Sequence, residues 1–272
     1  MAVDPASLVD LDRYPVADLD GAGGAAADHH AGELRATGVS ILPGFLRDEA
    51  VAVLVSECDA LAAGAYHQDV QGTPYLELPD SAAWPDDHPR VAWSRSSVHT
   101  VAYDRFDPDS SPLRALFEWD ALLDFVGRVL GRAPLYRYAD PLGAMNLAVM
   151  VDNDELGWHY DQTDFVVSLA IQSSATGGDF ENVQRLRWRP DGGIEERYDD
   201  VAAILAGKDE DRITTVPMTS GTLMLFEGRW SLHRVTSVGG ATPRYVGLFG
   251  YDTAPGTMSS ELLKLVRYGR TA

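Results

Sequence analysis

The sequence predicts an α+β fold in which a double-stranded β-helix, or jelly roll, is buttressed by amino-terminal helices. After Pro134, short runs rich in Val, Leu, Phe and Tyr are separated by Gly, Asp and Pro, which is typical of an antiparallel sandwich or barrel. Before Pro134, segments with helical apolar spacing predominate. The 272 residues fit a single domain of this kind.

The first half is expected to support the sheet rather than to form it. Residues 1–30 are rich in Ala, Gly and Asp and predict a loosely ordered lead-in. Residues 31–133 predict mainly helical support, within which residues 65–93, rich in Pro, Gly and acids, predict an irregular excursion. The helices are expected near residues 29–37, 47–64, 112–118 and 119–131, with a short strand at 39–42.

Residues 134–272 are predicted to form the jelly-roll core. Its strands are expected in the runs PLYRYA, MNLAVMV, FVVSLAIQ, TTVPM, TLMLFE and RYVGLFGY. The segment 189–211 is rich in Asp, Glu and Gly, and it predicts a surface loop or lid between strands.

Composition limits the partners of the protein. The formal charge of −19 argues against nucleic acid, because phosphate backbones need a basic face. The sequence has no run of about 18 apolar residues, and the amino terminus lacks the pattern of a secretory signal, so no membrane partner is expected. Cys58 is the single cysteine, which excludes an intrachain disulfide and favours a cytoplasmic location. A small-molecule substrate is expected, and a homodimer is compatible with the sequence.

The strongest chemical signal is the pair His159 and Asp161. In an extended backbone, residues i and i+2 point to the same face, so the imidazole and the carboxylate converge from one strand. A His-x-Asp pair is common by chance, and it needs a third ligand. His233 supplies that candidate, 71 intervening residues later.

Arg244 follows the third candidate ligand by eleven residues. A hairpin turning at Gly239 and Gly240 would pair His233 with Val246 and place Arg244 diagonally across the same face. A planar guanidinium there could bind the far carboxylate of a five-carbon diacid whose near end chelates the metal.

This set of side chains favours Fe(II). Two neutral imidazoles and one carboxylate on one face of the ion leave three positions open. A 2-oxo acid such as 2-oxoglutarate fills two of them, and O2 needs the third. The pattern therefore predicts Fe(II), 2-oxoglutarate and O2 as cofactors, with His159, Asp161 and His233 as both metal-binding and catalytic residues.

These residues also carry a family resemblance. The chain resembles the iron(II)/2-oxoglutarate-dependent oxygenases, and within them it is similar to the small bacterial branch of free-amino-acid halogenases and hydroxylases of the lysine-chlorinase type. The resemblance implies a cupin-like jelly roll, and it assigns the metal triad and the 2-oxoglutarate arginine to the same four residues. The matching stretches lie within residues 155–270 and are GWHYDQTDFVVSLAIQ, GGDFENV, GTLMLFEGRWSLHRVT and YDTAPGTMSSELLKLVRYGR.

Asp161 decides between the two reactions of that branch. Its halogenases have glycine in place of the middle acid, which leaves room for chloride. Because this chain has Asp161, the resemblance implies hydroxylation of an unactivated C–H bond, with 2-oxoglutarate converted to succinate and CO2.

The substrate residues are less constrained. By resemblance, Arg95 is expected to bind a substrate carboxylate, and Tyr268 to line the pocket. Asp140 is a candidate for a substrate ammonium, and Trp158 is expected beside the metal. The plain alternatives are a surface ion pair for Arg95, an ordinary turn for Asp140 and a packing role for Trp158.

Two other functions remain open on the sequence. The same cofactor chemistry could give desaturation, cyclisation or epimerisation, or could act on a nucleotide-like or carrier-bound substrate. A non-enzymatic jelly roll could use the same three ligands for a structural or sensing metal. The latter would have no need of Arg244.

Overall fold

The computed structural model describes residues 3–77 and 83–272. The helices in these residues are α1 (Ala22–Thr37), α2 (Asp48–Ala62), α3 (Pro112–Glu118), α4 (Asp120–Leu130), α5 (Tyr198–Leu205) and α6 (Glu261–Tyr268). The strands are β1 (Val39–Leu42), β2 (Tyr66–Gly72), β3 (Ser94–Ala102), β4 (Tyr136–Arg137), β5 (Met145–Met150), β6 (Glu155–His159), β7 (Val166–Gln172), β8 (Thr176–Gly177), β9 (Phe180–Val183), β10 (Thr214–Val216), β11 (Leu223–Phe226), β12 (Leu232–Val235), β13 (Val238–Gly239), β14 (Arg244–Phe249) and β15 (Tyr251–Asp252).

Eleven strands join into one curled antiparallel sheet. Their order is β1-β11-β7-β14-β5-β3-β6-β12-β9-β10, with β2 added beside β3. Strand β3 is long enough to pair with β5 through one half and with β6 through the other. The predicted α+β class with a jelly-roll sheet is confirmed.

The two faces of the sheet have different neighbours because side chains alternate along each strand. On the inner face, residues from several strands form one apolar cluster, which includes Val98, Met150, Phe180, Phe226 and Val235. On the outer face, the intervening residues of β5, β7, β11 and β14 pack under the helices in the largest core cluster. The outer side of β9 and β12 packs against α5 instead.

The amino-terminal lead-in is ordered, contrary to the prediction for residues 1–30. Helix α1 begins at Ala22, and Val9 and Val16 are fully buried. A Cβ atom at Gly23 or Gly24 would collide with preceding backbone carbonyls. The glycines thus permit close packing of the helix against the chain before it. Residues 1–2 lie outside the described residues.

The predicted helical support also contributes three strands, β1, β2 and β3, to the main sheet. Strand β2 lies within the segment 65–93 that was expected to be irregular; residues 78–82 of that segment lie outside the described residues. Helix α3 matches its prediction, with Ser111 capping its amino terminus and Pro112 in its first turn. The expected loop at 189–211 contains α5. No helix among the described residues is long and apolar enough to cross a membrane.

Candidate metal centre

Strands β6 and β12 bring two histidines face to face. His159 is the register partner of His233, whereas Val235 pairs with Leu156. From Leu156 to His159 the chain advances three residues, whereas β12 advances two over the same stretch. Strand β6 therefore contains a β-bulge with one extra residue. The bulge changes the alternation, so that Leu156 and His159 both lie on the inner side of the sheet. The two imidazole centroids are 4.2 Å apart.

Both rings are oriented by the backbone. Nδ1 of His159 lies 2.8 Å from the carbonyl oxygen of Gly157, and Nδ1 of His233 lies 2.9 Å from that of Ser231. A carbonyl can only accept, so each Nδ1 carries the proton and each Nε2 presents a lone pair. The local chain thus selects the tautomer that binds a metal.

Asp161 completes the triad from the turn after β6. Its two carboxylate oxygens lie 3.7 Å from Nε2 of His159 and 3.6 Å from Nε2 of His233. Burial and the neighbouring His233 lower the pKa of His159 to about 4, so this ring is neutral at neutral pH. The pKa of Asp161 is also lowered: burial opposes ionisation, but the two histidines outweigh it. Two neutral imidazoles and a carboxylate suit a divalent transition metal.

Gly228 holds the carboxylate in place. A Cβ atom on Gly228 would overlap the Oδ2 atom of Asp161. The backbone N–H of Asp161 donates to the Gly228 carbonyl oxygen at 3.1 Å. The loop before β12 therefore approaches Asp161 so closely that only glycine fits.

Arg244 lies inside the barrel, but not through the hairpin predicted from Gly239 and Gly240. Strand β14 pairs with β5 and β7, and β13 pairs with β8, so Val246 lies opposite Ala148 and Ala170 rather than His233. The predicted pairing is wrong because the jelly roll sends consecutive strands to different sheet positions.

The guanidinium of Arg244 is buried, and no carboxylate in the described part of the chain pairs with it. Its side chain is in contact with Met150, whose Sδ lies 3.7 Å from one guanidinium nitrogen. Met150 belongs to the inner apolar cluster, as do Phe180 and Phe226, whose rings lie 5.6 and 4.8 Å from that of His233. Burial lowers the pKa of Arg244 to about 10, and Asp179 offsets this only in part. Because a buried charge is costly unless it is paired, the Arg244 cation favours the binding of an anionic ligand in the same interior.

A second group with ligand spacing consists of His67, His99 and Asp154. The group lies on the outer side of β3, where the imidazole rings of His67 and His99 are stacked with their centroids 4.1 Å apart. The Asp154 carboxylate already accepts from Ser97, from His99 and from the backbone N–H of Val151. These bonds join the β2–β3 pair to the β5–β6 turn, and they give the group a structural role without a metal.

Two of the expected substrate residues point away from the triad. Trp158 lies on the outer side, in the cluster formed with α5, with the guanidinium of Arg234 4.7 Å from its ring centroid. Arg95 donates to Asp69 at 3.0 Å and to the carbonyl oxygen of Asn153 at 2.7 Å. The structure therefore gives these side chains packing and ion-pair roles in place of the expected substrate contacts.

Asp140 and Tyr268 lie near the carboxyl-terminal helix. Asp140 accepts from the backbone N–H groups of Leu142 and Ser259, and Lys264 Nζ is 3.3 Å away, so its oxygens are already used. Tyr268 is buried against Ala102 and Leu142, and burial raises the pKa of its hydroxyl. Among the described residues, the contacts of both side chains are with this helix and with the loop and strand beside it rather than with the triad.

Besides Gly228, the sequence analysis missed Arg267 and Asn182 near the triad. Arg267 on α6 is exposed, and its charge lowers the pKa of both His159 and Asp161. Asn182 is fully buried directly opposite His233. Asn182 could have been found from the GGDFENV run, since it is two residues from the apolar Phe180 and must share its face.

The comparisons with known proteins agree with this geometry. The family model described as Halogenase D matches residues 83–261, about two thirds of the chain. No curated protein matches the sequence closely enough to count as a relative.

Several solved structures are similar to this one over most of their length. AviO1 from Streptomyces viridochromogenes Tue57 has a TM-score of 0.57 and 14% identity over 86% of this chain and 97% of its own. The epimerase SnoN from nogalamycin biosynthesis, in complex with Fe3+, alpha ketoglutarate and nogalamycin RO, has a TM-score of 0.55 and 16% identity. The match covers 87% of this chain and 93% of SnoN. HygX from Streptomyces hygroscopicus, with nickel, 2-oxoglutarate and hygromycin B bound, has a TM-score of 0.54 and 16% identity. The match covers 84% of this chain and 88% of HygX. At these identities the likeness shows a shared fold.

Proposed function

The chain belongs to the Halogenase D family, and on that premise we propose that it is an Fe(II)/2-oxoglutarate-dependent oxygenase that hydroxylates a small metabolite. The observation that carries the proposal is one interior that holds the triad of His159, Asp161 and His233 together with the Arg244 cation, which pairs with no carboxylate of the described residues. The triad suits Fe(II), and the cation suits a dicarboxylate. A structural metal site would not need Arg244.

Each residue has a defined part in this proposal. His159 and His233 would hold the metal through Nε2, and Asp161 through its carboxylate. Arg244 would pair with the 5-carboxylate of 2-oxoglutarate. Bound Fe(II) would supply the oxidation of 2-oxoglutarate to succinate and CO2 by dioxygen, coupled to attack on a C–H bond. The rings of Phe180 and Phe226 would exclude water from the buried side of His233.

Hydroxylation is proposed rather than halogenation because of Asp161. Its carboxylate already lies within 4 Å of both imidazole Nε2 atoms, where a halide would need an open position. A free amino acid is the favoured substrate class on the sequence resemblance. The positions of Arg95 and Asp140 give no further support for an amino-acid substrate, because both side chains form hydrogen bonds within the protein.

The test is a coupled assay on the purified protein loaded with Fe(II). We expect 2-oxoglutarate to be converted to succinate in air, and one member of a panel of amino acids and other small metabolites to gain the mass of one oxygen atom. With chloride present, a chlorinated product would contradict the role given to Asp161. A protein that binds metal but never consumes 2-oxoglutarate with any panel member would support the non-enzymatic alternative.

Gly228 gives a prediction about the carboxylate. The variant Gly228→Ala is expected to push Asp161 out of the triad and to weaken binding of Fe(II) or Co(II) about 10- to 100-fold, the range typical of residues that orient a ligand. Calorimetric titration of the metal-free protein measures this. The matched control is Gly32→Ala on α1, where an added Cβ meets nothing within 4 Å. Equal metal affinity in both variants would contradict the prediction.

A further inference from the structure

Asn182 is a buried amide that has no hydrogen-bond partner within residues 3–77 and 83–272. Its relative exposure is 0%, and neither Oδ1 nor Nδ2 has a hydrogen-bond partner among the described residues. Leaving a buried amide unpaired is unfavourable, and such groups are rare in native proteins. A side chain of this kind indicates that a polar group from outside the chain completes the site.

The strand pairing fixes the direction of this side chain. Glu181 pairs with Arg234, and Val183 pairs with Leu232, on the outer side of β9 and β12. Alternation then places Asn182 on the inner side with Phe180, whose ring lies 5.6 Å from that of His233.

His233 is the register partner of Asn182. Directly opposed residues on one face have Cβ atoms about 4.5–5.5 Å apart. The amide is therefore next to the triad.

His233 cannot be the missing partner. Its Nδ1 is bonded to the carbonyl oxygen of Ser231, and its Nε2 faces Asp161. Glu181, the neighbour of Asn182 on β9, pairs with Arg234 on the other side of the sheet. The residues that the structure describes offer the amide no hydrogen-bond partner, and a ligand entering the barrel would supply one.

We propose that the Asn182 amide binds the metal-facing end of 2-oxoglutarate, with Nδ2 donating to its 1-carboxylate. The inference rests on the proposed function. In this arrangement Asn182 binds the end of the cofactor beside the triad, whereas Arg244 binds the far carboxylate. An amide suits this place because it donates a hydrogen bond without adding a second positive charge beside the metal.

The test compares Asn182→Leu with the unmutated protein in two measurements. Under anaerobic conditions with Fe(II), we expect the dissociation constant for 2-oxoglutarate to rise about 10-fold or more, because a hydrogen bond to a charged group is lost. In the ligand-free protein, we expect an unchanged or raised Tm, because an unpaired buried amide is replaced by an apolar side chain of similar size. Asn182→Ala, which adds no volume, repeats the binding measurement if the leucine variant does not fold.

Asn146 provides the matched control. It is also buried, but its side chain is within hydrogen-bond reach of Tyr268. Asn146→Leu should therefore lower the Tm of the ligand-free protein. An unchanged 2-oxoglutarate affinity in Asn182→Leu, or a fall in its ligand-free Tm like that of Asn146→Leu, would overturn the inference. Failure of the unmutated protein to bind 2-oxoglutarate would instead overturn the proposed function.

Discussion

The variant His233→Ala is expected to lose Fe(II) binding and to reduce succinate formation to background. His233 presents Nε2 to the triad from the most buried position of the three, with only 6% of its side chain exposed. Loss of a direct ligand should exceed the roughly 10- to 100-fold effect of losing a residue that merely orients one. Metal content after anaerobic loading and succinate release in air measure the two effects.

The second histidine group provides the control for this experiment. His99→Ala removes the same side chain from the outer group with Asp154, which has the same ligand types and similar spacing. We expect this variant to keep its iron and its succinate formation. The reverse result, with iron lost in His99→Ala and kept in His233→Ala, would move the iron site to the outer face and refute the assignment.

The variant Arg244→Met is expected to have opposite effects on ligand binding and on stability. Loss of the charge should raise the dissociation constant for 2-oxoglutarate roughly 100-fold, as for the loss of up to about 3 kcal/mol from a charge-assisted pair. The Tm of the ligand-free protein should stay the same or rise, because the variant removes a buried cation that no carboxylate among residues 3–77 and 83–272 neutralises. Calorimetry and thermal unfolding in the presence and absence of 2-oxoglutarate separate the two effects.

Arg187 is the matched control, since it is as buried as Arg244, at 8% exposure for both. Its guanidinium lies 3.8 Å from the centroid of the Tyr160 ring and donates to the Arg229 carbonyl oxygen at 2.7 Å. Arg187→Met should therefore lower Tm by about 4–8 °C for a loss of ~2 kcal/mol. If Arg244→Met destabilised the ligand-free protein equally, Arg244 would be a structural residue, and its assignment to 2-oxoglutarate would fail.

Local sequence patterns were sufficient for the features that depend on local geometry. The helix α3 and the strand runs after Pro134 follow from periodicity and turn residues. The i, i+2 spacing also predicted that His159 and Asp161 converge, although Asp161 lies just beyond the end of β6. The pairing of β14 could not be predicted in this way, because its partners β5 and β7 are distant in sequence. A short hairpin at Gly239 and Gly240 was the nearest local alternative, and long-range pairing replaced it.

The substrate residues show a different limit. Arg95 and Trp158 were assigned by position along the chain, but their function depends on which side of a strand they occupy. The ion pair with Asp69 and the packing against Arg234 place both on the outer side. Asn182 and Gly228 were missed for a related reason. Their importance lies in what faces them across the fold, which is His233 in one case and the Asp161 carboxylate in the other.

The extra residue in β6 decides which of the following side chains in that strand face the interior. Between Leu156 and His159 the chain has one residue more than its neighbour β12. With the same residues but regular alternation from Leu156, Trp158 would face inward and His159 outward. The irregular pairing within β6 therefore decides that the imidazole of His159, and not the indole of Trp158, reaches the interior of the sheet.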